Sequence, residues 1–222
     1  LGCFAPACVL AAVLAAAAAA GPAHGGAHYW PSARGRIGQY MLANETLPRD
    51  LRSAFAWKFE HPEGRFKTVM RGNPLIDSQR NVLILTENGL FKLDPQGTII
   101  WVYFPPTLSL MNIVPCIMDD VVYGMAMDAT VYALDLWTGK ELWRRRHALN
   151  AGPDTAYVDA HDGILLAGVD MSLPYGGGNL RVLGMNTSDG DLLWEFRIDL
   201  PSWNFNPLFP GDGSFIFMDV SG

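Results

Sequence analysis

Residues Val131–Trp143, with the sequence VYALDLWTGKELW, decide the fold of this chain. In the first half, Val131, Ala133 and Asp135 alternate with Tyr132 and Leu134. Successive side chains of a β-strand point to opposite faces of the sheet, so this alternation is typical of a strand. Asp135 can accept hydrogen bonds from the amides that follow it, and Gly139 supplies the backbone freedom that closes a tight turn. The second half ends in Trp143, a large apolar ring that a neighbouring sheet has to cover. The stretch therefore predicts two antiparallel strands joined by a tight turn.

The same pattern recurs along the chain. Three copies share a turn-forming Asp or Asn, a Gly and a Trp at nearly fixed spacing. They are Asp94-x-x-Gly97-x-x-x-Trp101, Ala133-x-Asp135-x-x-Thr138-Gly139-x-x-x-Trp143 and Gly184-x-Asn186-x-x-Asp189-Gly190-x-x-x-Trp194. Counted from Trp57, the tryptophans follow one another after 44, 42 and 51 residues. A period of this size is what a four-stranded propeller blade needs.

This motif closely resembles the repeat of quinoprotein-type (PQQ-like) β-propellers. The resemblance covers residues 51–222 and implies an all-β fold, a partial PQQ-like β-propeller of about three blades plus the start of a fourth. Members of that family include quinone-dependent alcohol and glucose dehydrogenases. They also include non-enzymatic scaffolds, such as the outer-membrane assembly lipoprotein of bacteria and stress-sensor domains of the endoplasmic reticulum. The motif is specific for the fold and not for the function.

Equivalent positions in a repeat should share one environment. We therefore expect Trp101, Trp143 and Trp194 to be mostly buried, each at the same place in its blade. The fourth blade begins at Asn206 and breaks off after Asp219. Because the chain starts at Leu1 and stops within a predicted turn, we expect it to be a fragment of a longer protein.

Composition narrows the function classes. The chain has 222 residues, of which 17% are charged, and its net charge is −6. No basic run is long enough to follow a phosphate backbone, so we expect no nucleic-acid partner. The one cationic cluster, Arg144-Arg145-Arg146, follows a docking tryptophan and is typical of a solvated strand end.

Residues 1–23 predict a signal peptide, with an uncleaved membrane anchor as the alternative. The segment carries no charge, and its apolar run is short for a membrane span. Small residues at Ala18-Ala19-Ala20-Gly21 suit a signal-peptidase site. The prediction is a secreted or lumenal protein of the secretory pathway. An uncleaved segment would instead anchor the propeller on the extracytoplasmic side of a membrane.

Residues 24–50 show no sustained period and predict a linker. Within it, Asn44-Glu45-Thr46 is a glycosylation sequon in a place expected to be exposed. His24 and His28 have no third ligand at metal-site spacing, which favours solvated side chains over a metal site.

No catalytic constellation stands out. The carboxylates fall mostly at predicted turns, where they bond backbone amides. Cys116 lies in an apolar strand, which favours a packed core thiol. No Asp-x-Asp-x-Asp calcium loop is present. Trp137 is the one residue that the repeat does not explain. It is either a ring folded back on its own blade or an exposed contact for a partner.

The sequence thus predicts a non-catalytic binding scaffold without a cofactor, with protein partners on the propeller surface. The alternative is a fragment of a PQQ- and Ca²⁺-dependent dehydrogenase of alcohols or sugars. The resemblance implies that a quinone site would form at the propeller axis, from inner strands of several blades. The predicted inner strands offer few donors for a tricarboxylate quinone, namely Arg71, Asn73, Asn112 and Asn206.

Overall fold

A computed structural model describes residues 27–36, 39–40, 42, 46, 49–50, 52, 56–64, 72–107, 109–151, 156–171 and 178–221. These residues form the predicted all-β architecture. In the described ranges, the strands are β1 (Gly35–Arg36), β2 (Gln39–Tyr40), β3 (Leu75–Ile76), β4 (Val82–Leu85), β5 (Leu90–Leu93), β6 (Ile99–Tyr103), β7 (Cys116–Met118), β8 (Val121–Met125), β9 (Thr130–Asp135), β10 (Glu141–Arg146), β11 (Val158–His161), β12 (Ile164–Met171), β13 (Asn179–Asn186) and β14 (Leu192–Ser202).

Twelve of these strands form three antiparallel four-stranded sheets, which are the blades. Blade 1 is β3–β6, blade 2 is β7–β10 and blade 3 is β11–β14. In each blade, strands that are neighbours in sequence are neighbours in the sheet. A fourth repeat begins with two backbone hydrogen bonds of 2.8 Å between Leu208 and Ile216. The predicted propeller-type fold, with three blades and the start of another, is therefore confirmed.

The turn before each outermost strand is built by local side-chain chemistry. The Asp94 carboxylate accepts from the amides of Gln96 and Thr98 at 2.9 and 2.8 Å. In the next two repeats, Asp135 accepts from the amide and hydroxyl of Thr138, and Asn186 accepts from the amide of Ser188. The turn glycines Gly97, Gly139 and Gly190 have positive φ angles of 86°, 70° and 76°. This is the left-handed region that favours glycine.

Three tryptophans, Trp57, Trp101 and Trp143, each dock on the turn of the repeat that follows. In each case the indole Nε1 donates to the carbonyl of the residue after the turn-forming Asp or Asn. The pairs are Trp57 with Pro95 (3.0 Å), Trp101 with Leu136 (3.0 Å) and Trp143 with Thr187 (2.9 Å). These rings also cover Gly97, Gly139 and Gly190, respectively, where a Cβ would lie 2.7, 2.7 and 2.6 Å from a ring atom. The repeat motif is thus a docking device between blades.

Trp194 differs from the other two repeat tryptophans. Trp101 and Trp143 are each 8% exposed, as predicted, whereas Trp194 is half-buried. Its ring stacks on Phe215 of the fourth repeat at a centroid distance of 5.7 Å. Two of the three positions therefore share one environment, and Trp194 stacks on an aromatic ring instead of docking on a turn.

The apolar core lies between the blades. One cluster joins blades 1 and 2 around Trp101 and Tyr132, and another joins blades 2 and 3 around Trp143 and Leu165. Among the described residues, no helix has the length and apolar character to span a membrane. The predicted signal peptide at residues 1–23 and the sequon at Asn44 lie outside the described residues.

Candidate functional site

Residues 28–36, here called the strap, run across the inner strands of the repeats. Trp30 of the strap exchanges two backbone hydrogen bonds of 2.9 Å with Ile76 of blade 1. The next residue reaches blade 2, where the Ile117 amide donates to the Pro31 carbonyl at 2.6 Å. These bonds give partners to the free edges of β3 and β7, which an isolated four-stranded blade would leave unpaired.

The strap continues onto blade 3 and the fourth repeat. Ser32 lies beside the side chain of Asp159 on β11, the inner strand of blade 3. With the Asn206 amide oxygen turned toward the strap, it accepts from Arg34 Nε at 2.6 Å and from Nη2 at 3.2 Å. One short segment therefore contacts four successive repeats along their inner edge.

The inner strands are also joined directly to one another. The Val114 amide donates to the Ala156 carbonyl at 3.0 Å, and the Val158 amide donates to the Val114 carbonyl at 3.1 Å. The Tyr157 amide then donates to the Phe205 carbonyl at 3.1 Å. Blades 2 and 3 and the fourth repeat consequently share a continuous inner edge, and the strap lies along it.

The strap falls inside the segment for which the sequence predicts a linker, residues 24–50. Its packing is a feature that sequence reasoning missed. His28, expected to be a solvated side chain, contacts the Asp119 carbonyl through Nε2 and accepts from the Ser78 amide through Nδ1 at 3.1 Å. Residues 24–50 carry no strand-like pattern because hydrogen bonding of the backbone to a strand edge does not require apolar and polar side chains to alternate.

Asp159 is the titratable group that meets the strap. Burial raises its pKa to about 7, and the Ala160 amide, which donates to the carboxylate at 2.9 Å, and the nearby Ser32 oppose that shift. The Ser32 hydroxyl donates its hydrogen to the Gly35 carbonyl at 3.0 Å. Nearby Cys116 is buried in the core, as expected, and burial followed by the charge of Asp159 raises the pKa of its thiol. A thiol of this kind stays protonated and unreactive.

A second buried cluster joins blades 1 and 2. The side chains of Lys92 and Asp77 are 1% and 0% exposed, and their charged atoms lie 2.7 Å apart. Lys92 Nζ also donates to the Leu136 carbonyl at 3.0 Å, the same oxygen that accepts from Trp101. Burial lowers the pKa of Lys92, and the contact with Asp77 opposes that shift. The pair is enclosed between the blades and serves their docking.

Trp137, the predicted partner contact, packs against the neighbouring blade. Its ring lies 4.2 Å from Lys92 Nζ, in cation–π geometry, and is half-buried against the core shared by blades 1 and 2. The ring is turned toward blade 1 and leaves part of its surface exposed. A role in partner binding stays a prediction.

The structure places the predicted inner-strand donors in different settings. A quinone cofactor requires several cationic or amide donors and a divalent ion. Asn73 donates to the Ala33 carbonyl of the strap at 3.0 Å, and Asn206 faces the strap. Asn112 is buried, and its Oδ1 has no hydrogen-bond partner among the described residues, while Arg71 lies outside them. In the described ranges, no three His, Cys, Asp or Glu side chains are grouped to hold a metal ion.

The fold and its docking motif define a repeat protein of the quinoprotein-type propeller class. The chain belongs to the PQQ-repeat family whose model is described as outer membrane protein assembly factor BamB, and that model matches residues 50–207. Over 90 residues the chain is 29% identical to outer membrane protein assembly factor BamB of Salmonella typhimurium. That alignment covers 39% of this chain and 22% of the relative.

Two solved structures show the same fold. BamB from Moraxella catarrhalis matches with a TM-score of 0.51 and 24% identity, over 69% of this chain and 45% of that one. Quinohemoprotein alcohol dehydrogenase from Comamonas testosteroni matches with a TM-score of 0.50 and 20% identity, over 69% and 24%. The chain spans less than half the length of each of these proteins. At these identities the two similarities establish the fold alone.

Proposed function

We propose that this protein is a non-catalytic scaffold that binds other proteins through the surface of its propeller-type repeats. The strap is the observation that supports this proposal. It accepts the amide hydrogen of Asn73, a donor that a quinone enzyme of this fold would need, and its Arg34 donates to the amide oxygen of Asn206. The surfaces of the three four-stranded blades are then left to carry residues that bind partners.

The family gives the proposal its second support. The matched model and the Salmonella relative are both described as assembly factors for outer membrane proteins. An assembly factor acts on other proteins, and we carry that general role, without the particular partner, to this chain. An extracytoplasmic location is part of the proposal and rests on the predicted signal peptide at residues 1–23.

A dehydrogenase fragment is the second candidate function. The observation in its favour is Asn112, whose buried Oδ1 is not bonded by any described residue. An amide oxygen in that state suits a cation or a polar ligand. This candidate needs donors from further residues, and the closing measurement of the Discussion tests it.

Affinity purification after crosslinking in the cells that make the protein tests the scaffold role. We expect defined proteins to co-purify at a constant ratio to the tagged chain. Trp137→Ala should lose at least one of them, because it removes the predicted contact. Trp203→Ala, which removes a ring that is 46% exposed and directly follows β14, is the matched control and should retain all of them. Enrichment no greater than with an unrelated tagged lumenal protein would contradict the proposal.

A further inference from the structure

A cavity of about 690 Å³ lies where blade 2 leads into blade 3. Its wall includes Arg146 at the end of β10, the next four residues, and Asp170 and Arg181 of blade 3. This volume lies within the range of ordinary ligand sites and holds several side chains of a bound peptide. The cavity is separate from the strap and from the buried Lys92 cluster, so the features described above do not account for it.

Arg146 is held in place by backbone carbonyls. Its Nε donates to the carbonyls of Asp128 at 2.8 Å and Ala148 at 3.2 Å, and Nη2 donates to the carbonyl of Leu149 at 2.8 Å. Nη1 has no partner among the described residues. A guanidinium fixed in this way has lost its side-chain freedom before a ligand arrives, which favours a charge-assisted bond to a carboxylate.

The charge of Arg146 is not offset by a carboxylate in the described part of the chain. Arg181, which also lines the cavity, and the arginines that precede Arg146 on β10 each have a carboxylate partner. Arg181 pairs with Asp170 at 2.8 Å and with Glu195. The remaining pairs are Arg144 with Glu141 and Arg145 with Asp191. Among the described residues of the cavity wall, Arg146 is therefore the arginine without a direct carboxylate partner.

An exposed apolar side chain stands beside this charge. Leu149 is 78% exposed on the cavity wall, and its own carbonyl holds Arg146. A small carboxylate would satisfy the guanidinium but would leave most of the cavity and Leu149 uncovered. A peptide that combines acidic and aliphatic side chains would cover both.

We propose that this cavity binds an acidic segment of a protein partner, with a carboxylate on Arg146 and an aliphatic side chain against Leu149. The inference rests on the proposed scaffold function and assigns a docking site to it. Specificity comes from the fixed guanidinium, and the leucine at the wall adds apolar contact.

Fluorescence anisotropy with the full chain tests the site. The probe is a fluorescein-labelled hexapeptide of alternating glutamate and leucine, and its glutamine counterpart is the uncharged control. We expect saturable binding of the acidic probe that weakens with added salt, and binding of the control at least about tenfold weaker. Arg146→Gln should weaken the acidic probe by about tenfold or more, because a charge-assisted bond is lost.

Arg144→Gln is the matched control on the same strand, since its charge is already paired with Glu141. It should change the affinity about twofold or less. Arg146→Lys keeps the positive charge but loses the planar guanidinium, and should give an intermediate loss of affinity. Leu149→Ser should weaken binding of the acidic probe although the arginine is intact. These two variants decide the question if Arg146→Gln does not fold.

Equal losses in Arg146→Gln and Arg144→Gln would show unspecific attraction and overturn the inference. The same holds if the acidic probe does not saturate at millimolar concentration. Either result would leave the scaffold role standing if partners still co-purify with the chain. Failure of both experiments would contradict the proposed function itself.

Discussion

At the scale of single residues, the buried pair Lys92–Asp77 has the largest energetic consequence. Removing one member leaves the other charge buried without its partner. Lys92→Met should therefore lower the free energy of unfolding by about 3–5 kcal/mol. Urea denaturation followed by tryptophan fluorescence measures this change.

Lys58→Met is the control for that variant. Lys58 pairs with Glu60 at 3.6 Å, and both side chains are exposed. Exposed pairs contribute about 1 kcal/mol or less, so this substitution should have a small effect. If Lys92→Met costs no more than Lys58→Met, the buried pair does not stabilise the contact between blades.

Because burial raises the pKa of Asp159, we expect the free energy of unfolding to depend on pH. Its pKa is about 7 in the folded chain, against an ordinary value of 3.8. The folded chain therefore holds this proton more tightly than the unfolded chain. Its contribution is fully present below about pH 4 and is lost as the pH rises through about 7. Asp159→Asn should be less sensitive to pH between 5 and 8 in urea denaturation, and an unchanged slope would contradict the assignment.

Residues that act locally were predictable, and residues with distant partners were not. Asp135 and Gly139 were expected to build their turn, because a turn is specified by its own few residues. Lys92 stands between two apolar neighbours on β5, an alternation that ordinarily predicts a solvent-facing lysine and gives no sign of its burial. Its partner Asp77 lies in the turn before β4, and the Leu136 carbonyl that accepts a hydrogen bond from Lys92 belongs to blade 2. No local pattern links these positions.

At the scale of elements, the docking of a tryptophan on a turn glycine is the unit that joins blades. Gly139 has a φ of 70°, and a Cβ there would lie 2.7 Å from the ring of Trp101. Gly211 has a φ of 95° and open space around it. Both Gly→Ala variants suffer backbone strain of about 1–2 kcal/mol. Gly139→Ala should cost about 1–3 kcal/mol more, because it also displaces the ring.

Thermal unfolding of the two alanine variants, compared with the parent chain, measures this difference. Equal losses would mean that the contact between Trp101 and the turn does not constrain the blades.

The strap predicts local protection from hydrogen exchange. The amides of Ile76 and Ile117 donate to strap carbonyls. Replacing residues 28–36 with a glycine-serine segment of equal length should speed exchange at both amides by about tenfold or more. The Ile84 amide, within the ladder of β4 and β5, is the internal control and should change little. Unchanged exchange at all three positions would contradict the docking of the strap.

The sequence predicts the positions of the turns more closely than the lengths of the strands. Turn residues fix where a hairpin reverses, so the chain turns between β5 and β6 at Asp94–Gly97, as those residues predict. The sequence predicts a last strand of blade 3 from Asp191 to Ile198, whereas β14 continues to Ser202. The extension pairs with the start of β13, where Asn179 lies opposite Ser202. The length of a strand depends on its neighbour, which its own sequence does not describe.

At the scale of the whole molecule, each blade is stabilised mainly by its neighbours. Apolar clusters lie between the blades, and tryptophan docking repeats from one blade to the next. The strap adds a connection along the inner edge of four repeats. The same fold serves assembly factors and dehydrogenases, so it leaves function to the residues at particular sites.

The central claim is that this propeller-type chain is a scaffold and does not use a quinone. Titration of the full chain with PQQ in the presence of Ca²⁺, followed by tryptophan fluorescence, tests the claim most directly. Because the strap engages Asn73 and Asn206 at the inner edge, we predict no saturable quenching and no dye-linked oxidation of alcohols. Saturable quenching at micromolar PQQ, together with dye-linked alcohol oxidation, would contradict the scaffold function and establish the dehydrogenase.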